Sequence, residues 1–333
     1  MEYRTLGRTG VQVSRLCMGT MSFGGVADKE ISAAMFRRCR EAGINFFDTA
    51  NVYNGGLAEE ILGKLIADCR DELVLASKVH YPTGDDVNAR GLSRRHMMLA
   101  VEASLKRLGT DRLDLYFLHG FDANTPIEEP LRALDDLVRQ GKILYPAVSN
   151  WAAWQIAKGL GISAREGLAR FECIQPMYNL AKRQAEIEIL PLAQAEQVGV
   201  ISYSPLGAGL LSGKYDTVQK PGTGRLVENP MYARRYGLPV YYEIAGRFTA
   251  HARERGVHPA SLAVAWVMSH PGVTAPIIGA RNVEQLSASL GALDVPMTPE
   301  WRAEISALSV EPPPATDRLE EKSGVFYKST ASK

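Results

Sequence analysis

The sequence predicts a closed (β/α)8 barrel, the TIM-barrel form of the α/β class, capped by an N-terminal β-hairpin and followed by an extra C-terminal helix. Three observations predict it. Eight short apolar runs each precede a window of helical periodicity. The runs are apolar on both faces, as strands in a buried parallel sheet are. A chain of 333 residues with 46% hydrophobic composition can bury one large core. Eight parallel strands joined by helices suit a closed barrel better than an open sheet, so residues 1–333 read as one domain.

The elements follow in order. Residues 3–6 and 11–14 flank a turn from Gly7 to Gly10 and form the hairpin. The strand-then-helix units are 15–18 with 30–42, 45–47 with 57–68, 73–77 with 93–108, and 113–118 with 127–140. The second half supplies 143–148 with 151–160, 173–175 with 184–198, and 275–278 with 283–290. Between the last two of these, the run 200–203 precedes a long loop and helices ending near Ser269. Residues 216–242, rich in Gly, Pro, Tyr and Arg, exceed a plain barrel connection and read as a lid. Residues 311–333, opened by three prolines, read as an extended tail.

Composition narrows the function classes. A formal net charge of +1 gives no reason to expect nucleic acid or an anionic membrane as a partner. Charged residues follow Met1 at once and no apolar run is long enough to span a bilayer, so the expected location is cytoplasmic. The four cysteines stand far apart without a CxxC pair, and the six histidines show no HxH or HExxH spacing; no disulfide framework or metal site is expected. Whether the chain is a monomer or a homo-oligomer is open at this level.

In a (β/α)8 barrel the chemistry stands at the C-terminal strand ends. Those ends carry Gly19, Thr20 and Met21; Asp48 and Tyr53; Lys78; His119; Ser149 and Asn150; Gln175; Tyr203 and Ser204; and Gly279, Ala280 and Arg281. A free phenol has a pKa of about 10, and a neighbouring ammonium lowers it. Lys78 is placed to be that ammonium beside Tyr53, with Asp48 pairing it and His119 orienting a carbonyl oxygen or helping to move its proton. The set suits protonation of an oxygen that becomes an alkoxide. A rival reading makes Lys78 a Schiff-base nucleophile, which pairing with Asp48 disfavours.

The glycine-rich stretch 19–25 is not a GxGxxG opening a helix, which disfavours a Rossmann site. Residues 204–214 can turn backbone amides toward a pyrophosphate, with Lys214 adding charge. Arg281 precedes a helix N-terminus and suits an adenosine 2′-phosphate, which points to NADP. Tyr203 offers a flat face for a nicotinamide ring, and Ser149, Asn150 and Gln175 offer hydrogen bonds to its carboxamide. Phe23, Tyr81, Phe121 and Trp151 follow strand ends and could wall an apolar substrate pocket.

Several ordered motifs then resemble one family. DTANVYNGGLAEEILG (48–63), SLKRLGTDRLDLYFLH (104–119), GKILYPAVSNW (141–151), QPMYNLAKR (175–183), YSPLGAGLLSGKY (203–215) and IGARNVEQL (278–286) resemble aldo-keto reductase motifs over nearly the whole chain. The forms GKY and GARNxEQL are similar to the longer bacterial and potassium-channel β-subunit-like members. The resemblance implies an NADPH/NADP+-dependent oxidoreductase acting on a small carbonyl or alcohol substrate, with Tyr53 as general acid and Asp48, Lys78 and His119 assisting. It also implies cofactor contacts from Thr20, Met21, Asp48, Ser149, Asn150, Gln175 and Tyr203. The pyrophosphate would follow Ser204, Pro205, Leu206, Gly207 and Ala208 with Lys214 and Arg225, and the adenosine end would meet Gly279, Arg281, Gln285 and Ser289. The channel likeness implies an alternative, an NADP(H)-binding regulatory subunit with incidental catalysis. The chain departs from the family pattern at Ala58, at Pro146 and Ala147, and at Ala288 and Ser289, none of them a candidate catalytic group.

Overall fold

In the computed structural model, which describes residues 1–218 and 221–319, the chain opens with a hairpin of β1 (Tyr3–Thr5) and β2 (Gln12–Ser14). Eight parallel strands follow: β3 (Cys17–Gly19), β4 (Phe46–Asp48), β5 (Val74–Val79), β6 (Leu113–Leu118), β7 (Ile143–Ser149), β8 (Cys173–Gln175), β9 (Gly199–Ser202) and β10 (Ala275–Ile278). They pair in sequence order, and β10 pairs back onto β3 to close the barrel. Helices α1 (Lys29–Glu41), α2 (Leu57–Ile66), α3 (Arg94–Leu108), α4 (Glu128–Arg139), α5 (Ala153–Glu166) and α6 (Ile189–Ala195) cross between strands as the sequence predicts. The ends of several helices are written locally. Asp28 and Ser93 cap α1 and α3 by accepting from the amides of Ile31 and His96, and Gly109 ends α3 at φ 63°.

Because side chains alternate along a strand, each barrel strand serves two cores. Met18, Phe47, Leu75, Tyr116, Val148, Ile174 and Ile278 face outward and pack against the helices. Cys17, Phe46, Val74, Ala76, Leu115, Phe117, Ala147, Cys173, Ile201, Ala275 and Ile277 fill the barrel interior. The hairpin completes that interior from below, since Leu6 and Val13 belong to the same buried cluster. Close approach there depends on glycine: a Cβ on Gly199 would come within 2.5 Å of Leu6 Cδ1, and one on Gly7 within 2.7 Å of the Gly199 amide.

Two stretches differ from the sequence expectation. Residues 184–198 form not one helix but a 3-10 turn at Gln184–Glu186 and then α6. Pro191 lacks an amide hydrogen and is tolerated only in a first turn, so the helix starts two residues before it. Residues 216–242 contain α7 (Arg225–Glu228), α8 (Pro230–Tyr236) and the start of α9 (Pro239–Glu254) rather than open loop, with Leu226 and Tyr236 buried. Pro230 and Pro239 stand at the first helical position, where their fixed φ is already suitable. Positions 219 and 220 of that segment lie outside the described residues.

Helix α10 (Pro259–Met268) precedes β10, and α11 (Val283–Leu290) follows it. The extra C-terminal helix is α12 (Pro299–Ser306), held to α10 by the Trp266 indole donating to Ser306 Oγ at 3.0 Å. Of the expected tail, residues 311–319 carry neither helix nor strand, and 320–333 lie outside the described residues. Among the described residues no helix is long and apolar enough to cross a membrane. The four cysteines are free thiols, three of them buried.

The plug under the barrel has a direct test. Gly199→Val should lower the unfolding free energy by about 1–3 kcal/mol through overpacking against Leu6. Urea denaturation of the two proteins measures it, and an unchanged midpoint would remove the plug from the stability of the barrel.

Candidate active site

The alternation that fills the barrel also decides what faces its mouth. Lys78 shares a face with Val74 and Ala76, Asp48 with Phe46, Ser149 with Ala147, and Gln175 with Cys173, and each stands one pleat above its apolar partner. The register sets them side by side: Gly19 opposite Asp48, Lys78 opposite Phe117, and Ser149 opposite Gln175. His119 continues β6, its amide donating to the Val79 carbonyl at 2.9 Å.

Lys78 is wholly buried, and an ammonium there must spend all three of its N–H groups. It donates to Asp48 Oδ2 and to the Thr49 carbonyl, both at 2.6 Å, and to the Tyr53 hydroxyl at 3.3 Å. Asp48 is 2% exposed and takes a second bond, from Gln175 Nε2 to Oδ1 at 2.9 Å. Burial pulls Lys78 toward its neutral form, but Asp48 and Tyr53 outweigh it, and the ammonium pKa is raised. A lysine held charged in this way is a poor nucleophile, which sets aside the Schiff-base reading.

Tyr53 corrects one expectation. Burial raises its phenol pKa and Lys78 lowers it, and burial prevails. Much of the lysine charge is already answered by Asp48. The phenol therefore remains protonated at neutral pH, with an ammonium beside its oxygen. His119 lies across from it, ring centroids 5.9 Å apart and nearly perpendicular. Burial, with Lys78 and His80, holds the His119 imidazole well below its usual value of 6.5, and its buried Nδ1 has no hydrogen-bond partner among the described residues.

A hydrogen-bonded chain joins this cluster to the far side of the mouth. Ser149 Oγ donates to the Gln175 carbonyl at 2.9 Å, and Asn150 Nδ2 donates to Ser149 Oγ at 3.1 Å and to the His119 carbonyl at 2.9 Å. Tyr203 donates to Asn150 Oδ1 at 2.8 Å. From Tyr203 to Lys78, then, one polar network crosses five strand ends, those of β9, β7, β8, β4 and β5. Burial lifts the Tyr203 phenol to about 12, so it acts as a neutral flat ring and donor. At the rim, Thr20 is turned inward, its hydroxyl donating to the Asp48 carbonyl at 3.1 Å, while Met21 is exposed. Of the aromatic residues expected as walls, Phe23 and Trp151 are buried in packing, whereas Tyr81 stands 4.9 Å from His119 and Phe121 packs against Trp151 at 5.1 Å.

The loop after β9 departs from expectation. The amides of Gly207, Ala208, Gly209, Leu210 and Leu211 bond within the loop, to Ser204 or Leu206 or Gly207, and do not face outward as a nest. Pro205 and Gly207 are buried and Leu206 partly so, and Lys214 is the exposed cation at the loop's end. Arg225 begins α7, its guanidinium carbon 5.3 Å from the Tyr232 ring centroid. Gly279 follows β10 with open space around it: a Cβ would meet only the Gly19 carbonyl, at 3.9 Å. Arg281 is half-exposed, and its amide donates to Gln285 Oε1 at 3.2 Å. Ser289 is buried and its hydroxyl donates to the Gln285 carbonyl at 3.4 Å.

Sequence reasoning missed two groups. Asn179 donates 3.0 Å bonds to the Ser204 carbonyl and the Tyr236 hydroxyl, tying the loop after β9 to α8. Its place inside the motif at 175–183 was the available signal. Glu59 is fully buried on α2 and accepts from Ser77 at 2.5 Å and Arg107 at 2.7 Å, bracing the outer face of β5 directly behind Lys78. Nothing in the local sequence separates it from an exposed helical glutamate.

Comparison with known proteins points one way. A family model described as the aldo/keto reductase family matches residues 15–310. An uncharacterized oxidoreductase, YrpG, of Bacillus subtilis (strain 168) is 38% identical over 311 residues, covering 90% of this chain and 93% of that protein. A probable voltage-gated potassium channel subunit beta of Oryza sativa subsp. japonica is 36% identical over 336 residues, covering 95% and 99%. One from Arabidopsis thaliana is 37% identical over 303 residues, covering 89% and 92%.

Two outcomes follow from the cluster. Lys78→Met leaves Asp48 buried without its counter-charge and should cost about 3–5 kcal/mol of stability, while pairing it with Asp48→Asn should restore a large part. A double-mutant cycle by urea denaturation reads this directly. The neutral His119 gives the second. Its folded pKa lies below the unfolded 6.5, so its contribution is complete above 6.5 and is lost as pH falls below that value. The denaturation midpoint should drop between about pH 7 and about pH 5, and by less in His119→Gln.

Proposed function

The chain belongs to the aldo/keto reductase family, and from that premise we propose an oxidoreductase that interconverts aldehydes or ketones and alcohols with NADPH or NADP+, using Tyr53 as acid and base. One observation carries the reading: in an otherwise apolar interior, the Lys78 ammonium lies 3.3 Å from the Tyr53 hydroxyl and 2.6 Å from Asp48. That arrangement keeps a protonated phenol beside a fixed positive charge.

The residues at the mouth fit a nicotinamide dinucleotide. Tyr203 supplies a flat face, the network of Ser149, Asn150 and Gln175 supplies donors and acceptors for a carboxamide, and Lys214, Arg225 and Arg281 supply cations along the rim. Gly279 leaves room for a close approach, and Gln285 stands beside Arg281 at the adenosine end. When bound, the cofactor supplies the hydride in reduction and accepts it in oxidation. Tyr53 gives its proton to the carbonyl oxygen as negative charge develops there, and takes it back from the alcohol in the reverse direction. Lys78 stabilises the phenolate that remains, and Asp48 keeps the ammonium in place. The neutral His119 orients the carbonyl oxygen. Segment 216–242 acts as a cover over the mouth; the Tyr232 phenol lies within electrostatic range of Tyr53, and Arg235 within range of Tyr203.

The plant relatives favour a second reading, a regulatory subunit that binds NADP(H) and turns it over incidentally. Both readings share the cofactor site, and turnover separates them. Tyr53→Phe should keep NADPH binding within about twofold while lowering reduction of a nitrobenzaldehyde by at least about a hundredfold. Undiminished turnover would remove Tyr53 from the chemistry. Tight NADPH binding by the unaltered protein, with no turnover across a broad carbonyl panel, would establish the regulatory reading instead.

A further inference from the structure

Arg281, assigned above to the adenosine phosphate, already has an anionic neighbour. Its guanidinium donates to Glu228 Oε2 at 3.4 Å, across 53 positions of sequence. Glu228 is the last residue of α7, in the segment proposed above as a cover. That segment is pressed onto the loop after β9: a Cβ on Gly224, just before α7, would come within 2.8 Å of the Tyr215 hydroxyl. A carboxylate therefore stands beside the guanidinium to which the 2′-phosphate is assigned.

The side chains of Arg281 and Glu228 are 36% and 52% exposed, so their attraction is screened and a ligand can displace it. The two possible ribose groups would meet Glu228 differently. A 2′-phosphate competes with it for Arg281 and is repelled by it as a like charge. An unphosphorylated ribose can donate its 2′-hydroxyl to the same carboxylate.

We propose that Glu228 is a specificity-determining residue that penalises the 2′-phosphate and holds the preference for NADPH over NADH below what Arg281 alone would set. The inference rests on the cofactor reading above. Its test is the ratio of NADH to NADPH dissociation constants, measured by quenching of intrinsic tryptophan fluorescence on the full chain and on Glu228→Gln. The substitution should tighten NADPH about threefold to tenfold, leave NADH unchanged or weaker, and lose most of its effect at about 1 M salt. Adenosine 2′,5′-bisphosphate against adenosine 5′-monophosphate should show the same shift without the nicotinamide half. An unmoved ratio, or one shifted toward NADH, in a protein that binds either dinucleotide overturns the role of Glu228 alone. If the unaltered protein binds neither, the cofactor reading fails and the inference goes with it.

Discussion

The burial of one ammonium group organises this molecule. Lys78 has no access to water, and an isolated charge in such a place would cost many kcal/mol. Each of its three donors is matched, by a carboxylate, a backbone carbonyl and a phenol, all from β4 and the turn after it. Once β4 and β5 pair in the register that sets Asp48 opposite Ala76, those partners come within reach. A slip of one residue would turn Lys78 out among the helices and Ser77 into the barrel, destroying both the ion pair and the apolar layer beneath it.

The same geometry explains why the polar groups form a connected layer and not a scatter of strand-end residues. Below them the interior is apolar and sealed by Leu6 and Val13; above them lie loops. Between the two, Asp48, Lys78, Ser149, Gln175, Asn150 and Tyr203 satisfy one another's hydrogen bonds. A network satisfied in this way is rigid, which is what a site needs if its groups are to meet a substrate without rearranging. Glu59 with Ser77 and Arg107 extends the rigidity behind β5.

Much of this was legible in the sequence because strand phase and residue type carry it. The runs at 113–118 and 143–148 announced buried strands, and the residues just past them announced the polar layer at the strand ends. Legibility failed where nonlocal packing decides. The loop at 204–214 has the composition of an anion nest, yet the amides of 207–211 bond within the loop. The shift on Tyr53 was expected downward from Lys78 alone, but its sign depends on how deeply the phenol is buried and on whether Asp48 has already answered the lysine. Ser289 falls at a suitable position along α11, but its side chain faces inward.

By itself, then, the sequence determined the eight alternating units and the identity of the polar residue at each strand end, since these follow from local periodicity. Tertiary structure alone decided which of those residues touch, how far burial shifts their protonation, and that Glu228 reaches Arg281 from a different segment. The reason is physical. Side-chain phase is a property of a few neighbouring residues, whereas desolvation and Coulomb interaction depend on everything within several ångströms, most of it distant in the chain.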